Sequence, residues 1–316
     1  MITNIKFNNL TDIPKRNTKN SLTTFTSNKK QSTFNDVPMK GTGFITKTKE
    51  FLFDCKKKVL EFSKKLISNL VISLMVFPKI NRAPMLSIKD KIDNVYFKSG
   101  DGTLLNAWYI KPQNNKPTIL YLHGGNKNIS SRSSQKMAEY FSQKGYGMFM
   151  LDYRGYGHSK GAFSEQGFYD DAKAAAKYLE KEKKISANNM IVWGFCMGGS
   201  IASNLASQKD FKSVVILSSA DKPPSIFNYM GRYSILKPLT SFINRFDLKM
   251  FNTINYVSKI KSPLLIMMSE NDPIVPSSAL KEYKKSNPSA VTDVFYDKGH
   301  EETLWSKERA LKFFEG

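Results

Sequence analysis

The chain has 316 residues, of which 41% are hydrophobic and 12% aromatic. This length and composition provide enough apolar surface for a large core and exclude a chain that is disordered throughout. The formal net charge of +21 would suit a nucleic acid or an anionic membrane as partner. Because no helix-turn-helix pattern, zinc-ligand spacing or aromatic RNA-binding motif accompanies the charge, the sequence does not favour nucleic acid.

The two cysteines, Cys55 and Cys196, lie far apart in very different sequence surroundings. A disulfide framework is therefore not expected. The N-terminus also lacks the basic stretch, apolar run and small-residue cleavage site of a secretory signal. We expect a protein of the reducing cytoplasm.

The N-terminal region divides into an arm and a helix. Residues 1–48 are rich in Asn, Thr, Ser and Lys without a sustained period, which predicts a disordered basic arm. Residues 49–78 carry apolar side chains at helical steps beside a lysine-rich first half, which predicts an amphipathic helix. Its uncharged part, residues 66–78, would span roughly 20 Å, whereas a bilayer core is about 30 Å thick. We therefore expect peripheral binding to an anionic membrane on its cytoplasmic face; packing on the rest of the protein is the alternative.

From about residue 90 onward, short apolar runs alternate with helical patterns, which is typical of a mostly parallel sheet flanked by helices. Two runs, residues 95–98 and 104–110, enclose a turn sequence and predict a hairpin. The helical pattern of residues 167–183 places one apolar face toward the sheet. Further buried strands are predicted at residues 118–122, 147–151, 190–193, 214–217, 264–267 and 291–295.

One long segment, residues 221–260, interrupts this alternation. It contains the aromatic residues Phe227, Tyr229 and Tyr233. We interpret it as a cap that covers the active site and contacts the substrate. An ordinary helix with a long loop is the alternative.

Residues 191–200 form the strongest motif, Ile-Val-Trp-Gly-Phe-Cys-Met-Gly-Gly-Ser. A strand pattern enters a Gly-x-Cys-x-Gly turn and a helical pattern follows, which is the arrangement of a nucleophile elbow with Cys196 in the place of serine. Gly194 and Gly198 must be small because the turn is tight and strained. The N-terminus of the following helix favours a thiolate. We predict that Cys196 is the nucleophile; a buried structural cysteine is the alternative.

Three further segments accompany the elbow in the expected order: Tyr-Leu-His-Gly-Gly-Asn-Lys-Asn-Ile at 121–129, Leu-Asp-Tyr-Arg-Gly-Tyr-Gly at 151–157 and Ser-Glu-Asn-Asp-Pro-Ile-Val-Pro at 269–276. With them the chain resembles the α/β-hydrolase superfamily, and within it the membrane-anchored abhydrolase-domain proteins related to serine aminopeptidases. The cysteine elbow is similar instead to that of dienelactone hydrolases, whose nucleophile is a thiol. The resemblance implies an α/β-hydrolase domain over residues 90–316, with an eight-stranded, mostly parallel sheet and a small helical cap.

The chain offers three histidines as candidate bases. His300 follows the last predicted strand, so that Cys196, Asp272 and His300 occur in the chain order nucleophile, acid, base. His158 lies in a glycine-rich turn, where a surface or loop role is favoured. For the acid, Asp272 follows the penultimate strand and Asp221 is its main rival.

The oxyanion hole requires two backbone N–H donors. Met197 is expected to supply one of them. The family pattern implies that Gly125 supplies the other and that His123 and Gly124 support this loop. Because the sequence has no P-loop and few histidines, we expect neither a cofactor nor a metal.

These features favour a hydrolase that cleaves an ester or thioester of an acyl substrate, lipids included, through an acyl-enzyme. A peptidase, an amidase or a lactone hydrolase could use the same triad, because fold and triad do not determine the leaving group. A non-catalytic binding module that keeps the hydrolase shell is the third alternative. The sequence does not indicate the oligomeric state.

Overall fold

A computed structural model describes residues 50–64, 66, 81–221 and 250–316. The predicted basic arm lies outside these residues, and so does most of the predicted cap, with Phe227, Tyr229 and Tyr233. The chain divides into two compact units, residues 1–53 and 54–316. Of the first unit only residues 50–53 are described; they are helical and exposed. The second unit holds the sheet and the site.

Eight strands form one sheet in the order β1-β2-β4-β3-β5-β6-β7-β8. Their bounds are β1 Ile92–Lys98, β2 Leu104–Ile110, β3 Thr118–Leu122, β4 Gly147–Asp152, β5 Met190–Phe195, β6 Ser213–Leu217, β7 Leu264–Asn271 and β8 Val291–Lys298. The hairpin β1-β2 is antiparallel and joins β4 antiparallel, while β4, β3, β5, β6, β7 and β8 pair in parallel. The predicted fold, an eight-stranded and mostly parallel sheet, is confirmed.

Helices cover both faces of the sheet. Side chains alternate along each buried strand: Leu120 and Leu122 of β3 join one apolar cluster, whereas Ile119 and Tyr121 join the other. The first cluster includes the helices Glu165–Lys181, Met197–Ala206, Thr253–Val257 and Ala279–Ser286, and the second includes Arg132–Gln143 and Leu304–Glu315. Because helices bury both faces, these parallel strands are continuous apolar runs.

The helix Glu165–Lys181 begins after a capping serine, Ser164. The hydroxyl of Ser164 accepts a hydrogen bond from the backbone N–H of Gly167, which caps the first turn. Its predicted apolar face, Phe168, Ala172, Ala175 and Leu179, is fully buried against the sheet.

A short helix, Leu86–Lys89, packs on the domain ahead of the predicted start at residue 90. Ile88 is buried in the second apolar cluster, and the backbone N–H groups of Arg82 and Met85 donate to Ser130 Oγ and Gln135 Oε1. The domain therefore includes residues that the strand pattern alone did not assign to it.

Residues 50–64 and 66 of the predicted N-terminal helix are helical; residues 67–80 lie outside the described part. The apolar side chains of this helix are at least half exposed, from 50% for Leu60 to 72% for Phe53. Within the described ranges, no helix combines the length and apolar character needed to cross a bilayer.

Candidate active site

The predicted catalytic side chains all follow strands of the parallel part of the sheet. Cys196 follows β5, Asp272 follows β7 and His300 follows β8, and the loop of residues 123–128 follows β3. Because these strands are parallel, their carboxyl ends lie at one edge of the sheet. Residues up to about 177 positions apart in the sequence are thereby brought to one site, as expected for parallel sheets with helical crossovers.

Cys196 lies in a strained turn at this edge. Its φ of 54° and ψ of −119° lie in a region that side-chain-bearing residues rarely adopt, which costs roughly 1–3 kcal/mol. A Cβ atom on Gly194 would lie 2.2 Å from the carbonyl oxygen of Gly198, and one on Gly198 would lie 2.0 Å from that of Leu122. Both glycines are therefore sterically required, as the elbow interpretation predicts.

Asp272 and His300 form a hydrogen-bonded pair. His300 Nδ1 donates to Asp272 Oδ2 at 2.7 Å, and the other carboxylate oxygen accepts from the backbone N–H groups of Ile274 and Val275 at 2.8 and 2.9 Å. These bonds fix both the carboxylate and the ring. Since Nδ1 carries a proton, Nε2 is the atom that can accept one from the nucleophile.

The charges of Cys196 and His300 stabilise each other. Burial lowers the pKa of His300, but the charge of the Cys196 thiolate and the Asp272 hydrogen bond outweigh burial and raise this pKa to about 10. Burial raises the pKa of the Cys196 thiol, but the His300 charge and the Met197 N–H lower it, and the net pKa is below the usual value. Each charge therefore favours the other, and the Cys196 thiol ionises more readily than an ordinary thiol.

The loop after β3 lies against the nucleophile. A Cβ atom on Gly124 would be 3.2 Å from Cys196 Cβ, so the backbone of this loop lies beside the predicted nucleophile. The N–H of Lys127 donates to the carbonyl oxygen of Gly124 at 3.1 Å and closes a turn around Gly125. Gly125 and Met197, which begins the helix after the nucleophile, remain the two expected donors of the oxyanion hole.

Two tyrosines that we did not assign from the sequence support this loop. Tyr156 donates its hydroxyl to the carbonyl oxygen of Gly125 at 2.7 Å, and Tyr153 donates to that of His123 at 3.2 Å. Both belong to the segment 151–157, which carried the family resemblance without indicating a role. The two hydroxyls hold the backbone of the oxyanion loop in place.

The side chain of His123 also supports the loop of residues 123–128. Its ring is fully buried against Tyr153 and Tyr156, and Nδ1 donates to the carbonyl oxygen of Gly124 at 2.8 Å. Burial lowers the pKa of His123 to about 4. A neutral ring that is bonded to its own loop serves as a support and not as the catalytic base.

The remaining candidates, His158 and Asp221, differ in exposure. The side chain of His158 is exposed. Asp221 is buried, and its carbonyl oxygen accepts from the N–H of Ile254, while the carboxylate that His300 contacts is that of Asp272. Over the described ranges, no group of three or more His, Cys, Asp or Glu side chains is arranged to hold a metal ion.

An elbow on a mostly parallel eight-stranded sheet, with an acid and a histidine after the last two strands, is the arrangement of an α/β-hydrolase. A family model described as the alpha/beta hydrolase fold matches residues 117–242. The chain therefore has the α/β-hydrolase fold.

Among curated proteins, the chain is 31% identical over 203 residues to the alpha/beta hydrolase domain-containing protein WAV2 of Arabidopsis thaliana. It is 28% identical over 213 residues to the protein Bem46 of Schizosaccharomyces pombe. These matches cover 60% and 63% of this chain. They span 64% of the length of WAV2 and 68% of that of Bem46.

Solved structures show the same fold. An esterase of Pyrococcus furiosus has a TM-score of 0.63 at 24% identity, over 76% of this chain and 97% of its own. An alpha-beta hydrolase of Vibrio vulnificus has a TM-score of 0.63 at 19% identity, over 79% of this chain and 91% of its own.

Proposed function

We propose that the protein hydrolyses esters or thioesters of acyl substrates with Cys196 as nucleophile, His300 as base and Asp272 as the residue that orients His300. The observation that carries the proposal is the strained elbow, which presents a low-pKa thiol beside the Asp272–His300 pair. The esterase named among the structural neighbours supports an ester as substrate.

In the proposed reaction, the Cys196 thiolate attacks the carbonyl carbon and forms a C–S bond. The N–H groups of Gly125 and Met197 stabilise the negative charge on the carbonyl oxygen. The leaving alkoxide or thiolate takes the proton of the His300 imidazolium, and a thioester to Cys196 remains. His300 then removes a proton from water, the hydroxide attacks the thioester, and the acid and the thiolate are released.

The alternative functions differ from this proposal in the leaving group or in the absence of turnover. A peptidase or amidase must expel an amine, whereas a lactone hydrolase opens a cyclic ester. A binding module would retain a site with no turnover. The hydrogen bond between the acid and the base, together with the strained elbow, supports catalysis over binding alone.

A substrate panel tests the proposal. We expect purified full-length protein to release the alcohol or thiol from acyl esters and thioesters of graded chain length, and to turn over matched aminoacyl amides and lactones more slowly. The measurement is kcat/KM for each class, with chain length as the variable that the cap would control. Amides or lactones as the best substrates would select an alternative, and no turnover of any class would contradict the proposed activity.

We further propose that the helix that includes residues 50–64 binds an anionic membrane surface peripherally. Its apolar side chains, among them Val59, Leu60 and Phe62, are exposed. The same helix carries lysines at positions 56, 57, 58 and 64. Exposed apolar side chains beside lysines match a bilayer interface with anionic headgroups.

Vesicle sedimentation tests the membrane proposal. We expect the full-length protein to sediment with vesicles that contain phosphatidylserine, less so at high salt, and the double change K56E/K57E to weaken binding at least about tenfold. The matched control is K173E/K177E, which makes the same charge change at exposed positions of the helix Glu165–Lys181. Equal losses in both variants would reduce the effect to net charge and contradict a role for this helix.

A further inference from the structure

Glu302, two residues after His300, has a buried carboxylate. Its side chain is fully inaccessible to solvent. Tyr121 of β3 donates its hydroxyl to Glu302 Oε2 at 2.8 Å, and the ammonium of Lys127 lies 3.7 Å from the same oxygen. The other oxygen, Oε1, is buried and has no hydrogen-bond partner in the described part of the chain. Burying a carboxylate with incomplete hydrogen bonding costs folding free energy. Because Glu302 lies two residues after His300, we considered whether it contributes to the site.

Lys127 connects this carboxylate to the oxyanion loop. Its backbone N–H closes the turn that holds Gly125, and its ammonium lies 4.3 Å from the ring centroid of Phe195. The Phe195 ring in turn lies 5.0 Å from the ring of His300, centroid to centroid. Because Phe195 directly precedes the nucleophile, Lys127 contacts groups from all three catalytic segments: the oxyanion turn, the elbow and the histidine loop.

A second path leads from Glu302 to the same loop. The hydroxyl of Tyr121 lies 3.4 Å from Ser134 Oγ, and Ser134 donates to the carbonyl oxygen of Asn128 at 2.9 Å. The single protons of the two hydroxyls are thus donated to Glu302 and to Asn128, so Tyr121 and Ser134 are in contact without a hydrogen bond between them. The carboxylate of Glu302 is linked to the loop of residues 123–128 through the charge of Lys127 and through this packing contact.

We propose that Lys127 and Glu302 are positioning residues that hold the oxyanion turn and the His300 loop in register around Cys196. This inference rests on the proposed function, because it assigns to the pair the geometry on which that reaction depends. Neither residue touches the reacting atoms: the pair acts through Gly125 on one side and through His300 on the other.

The electrostatic surroundings support a positional role over substrate binding. Only 15% of the Lys127 side chain is exposed, and its charge is directed to a carboxylate of this chain. Burial raises the pKa of Glu302 above its usual value, although the charges of Lys127 and Lys307 and the hydrogen bond from Tyr121 oppose this rise. Lys127 therefore helps to keep Glu302 ionised, and its removal would favour the protonated carboxyl group.

The test compares the variants K127M, K127R, E302Q and the double variant K127M/E302Q in the full-length protein. The controls are E301Q, which neutralises the adjacent, exposed carboxylate, and K136M, which removes an exposed lysine of the helix Arg132–Gln143. Thermal melting establishes that each variant folds. If E302Q does not fold, K127M and K127R decide the outcome, because Lys127 is the partly exposed member of the pair.

Two readouts are measured: ester turnover, and the rate of Cys196 alkylation by iodoacetamide as a function of pH. For K127M and E302Q we expect kcat to fall at least about tenfold with KM within about threefold of the unmodified protein, since a shift of one ångström suffices for such a loss. We expect K127R to retain kcat within about threefold of the unmodified protein. We expect the double variant to be no slower than the slower single variant, because the effects of mutations at two interacting residues do not add. The pH midpoint of alkylation should rise in K127M and E302Q as His300 loses its fixed position.

Unchanged kcat and an unchanged alkylation midpoint in K127M and E302Q would overturn the proposal. It would also be overturned by a rise in KM alone, which indicates substrate binding, or by equal losses in K127R and K127M, which would show that the charge is not what matters. The alkylation readout needs no substrate. If the unmodified protein hydrolyses no ester, the proposed activity fails while the alkylation midpoints still decide whether the pair positions His300.

Discussion

Replacing Cys196 by alanine is expected to lower kcat/KM by at least about 10⁴-fold, because the covalent route through the acyl-enzyme is lost and only binding and the oxyanion donors remain. The replacement removes one sulfur atom from a site whose backbone strain lies in the turn itself, so the fold should be retained. Steady-state hydrolysis of the best ester in the panel, together with thermal melting, measures both effects.

The change to serine separates thiol chemistry from the general mechanism of the fold. A serine hydroxyl is far less acidic than a thiol and depends on His300 for activation, so C196S is expected to keep a small residual activity above that of C196A. Alkylation of the unmodified protein should have its pH midpoint below 8.5, about the pKa of an ordinary thiol, because the pKa of Cys196 is lowered. Full turnover after complete alkylation of Cys196 would exclude it as the nucleophile.

Most strands could be predicted because a strand that is buried on both faces of the sheet is a continuous run of hydrophobic residues. Residues 118–122 were predicted with the bounds that β3 has. Strand β7, predicted over residues 264–267, continues to Asn271. Its last residues are exposed and polar, yet they still pair with β8 as far as the register Asn271–Lys298. Backbone hydrogen bonding therefore extends past the point at which the apolar pattern ends, and the pattern alone misplaces such strand ends.

The residues that perform chemistry could be predicted from local patterns, whereas the residues that support them could not. Cys196 lies in a motif whose glycines are required by the turn, and His300 and Asp272 follow predicted strands. The contact between Lys127 and Glu302 joins loops 175 positions apart, and no spacing rule relates them. Tyr156 acts on Gly125 through one hydroxyl, which becomes visible only when the two loops are placed side by side.

Replacing Asp272 by asparagine is expected to lower kcat/KM by about 10³- to 10⁴-fold at neutral pH, because an amide cannot hold His300 with the proton on Nδ1 and cannot stabilise its positive charge. The pKa of His300, raised by the Cys196 charge and by Asp272, should fall, so the imidazolium is lost at a lower pH. Cys196 then loses its strongest stabilising charge. That loss exceeds the gain from removing the opposing charge of Asp272, so the pH midpoint of alkylation should rise. At alkaline pH the thiol ionises without help, and the deficit in acylation should narrow.

The matched control is Asp221→Asn, the same change at another buried carboxylate, which lies four residues after the end of β6. We expect its kcat/KM to remain within about threefold of the unmodified value, since Asp272 is the carboxylate that accepts the hydrogen bond of His300. Thermal melting of both variants separates a loss of fold from a loss of catalysis. If Asp221→Asn melted like the unmodified protein and lost as much activity as Asp272→Asn, the contact at His300 Nδ1 would not identify the acid. Equal alkylation midpoints in the two variants would lead to the same conclusion without any substrate, because the state of His300 would then be independent of the carboxylate bonded to it.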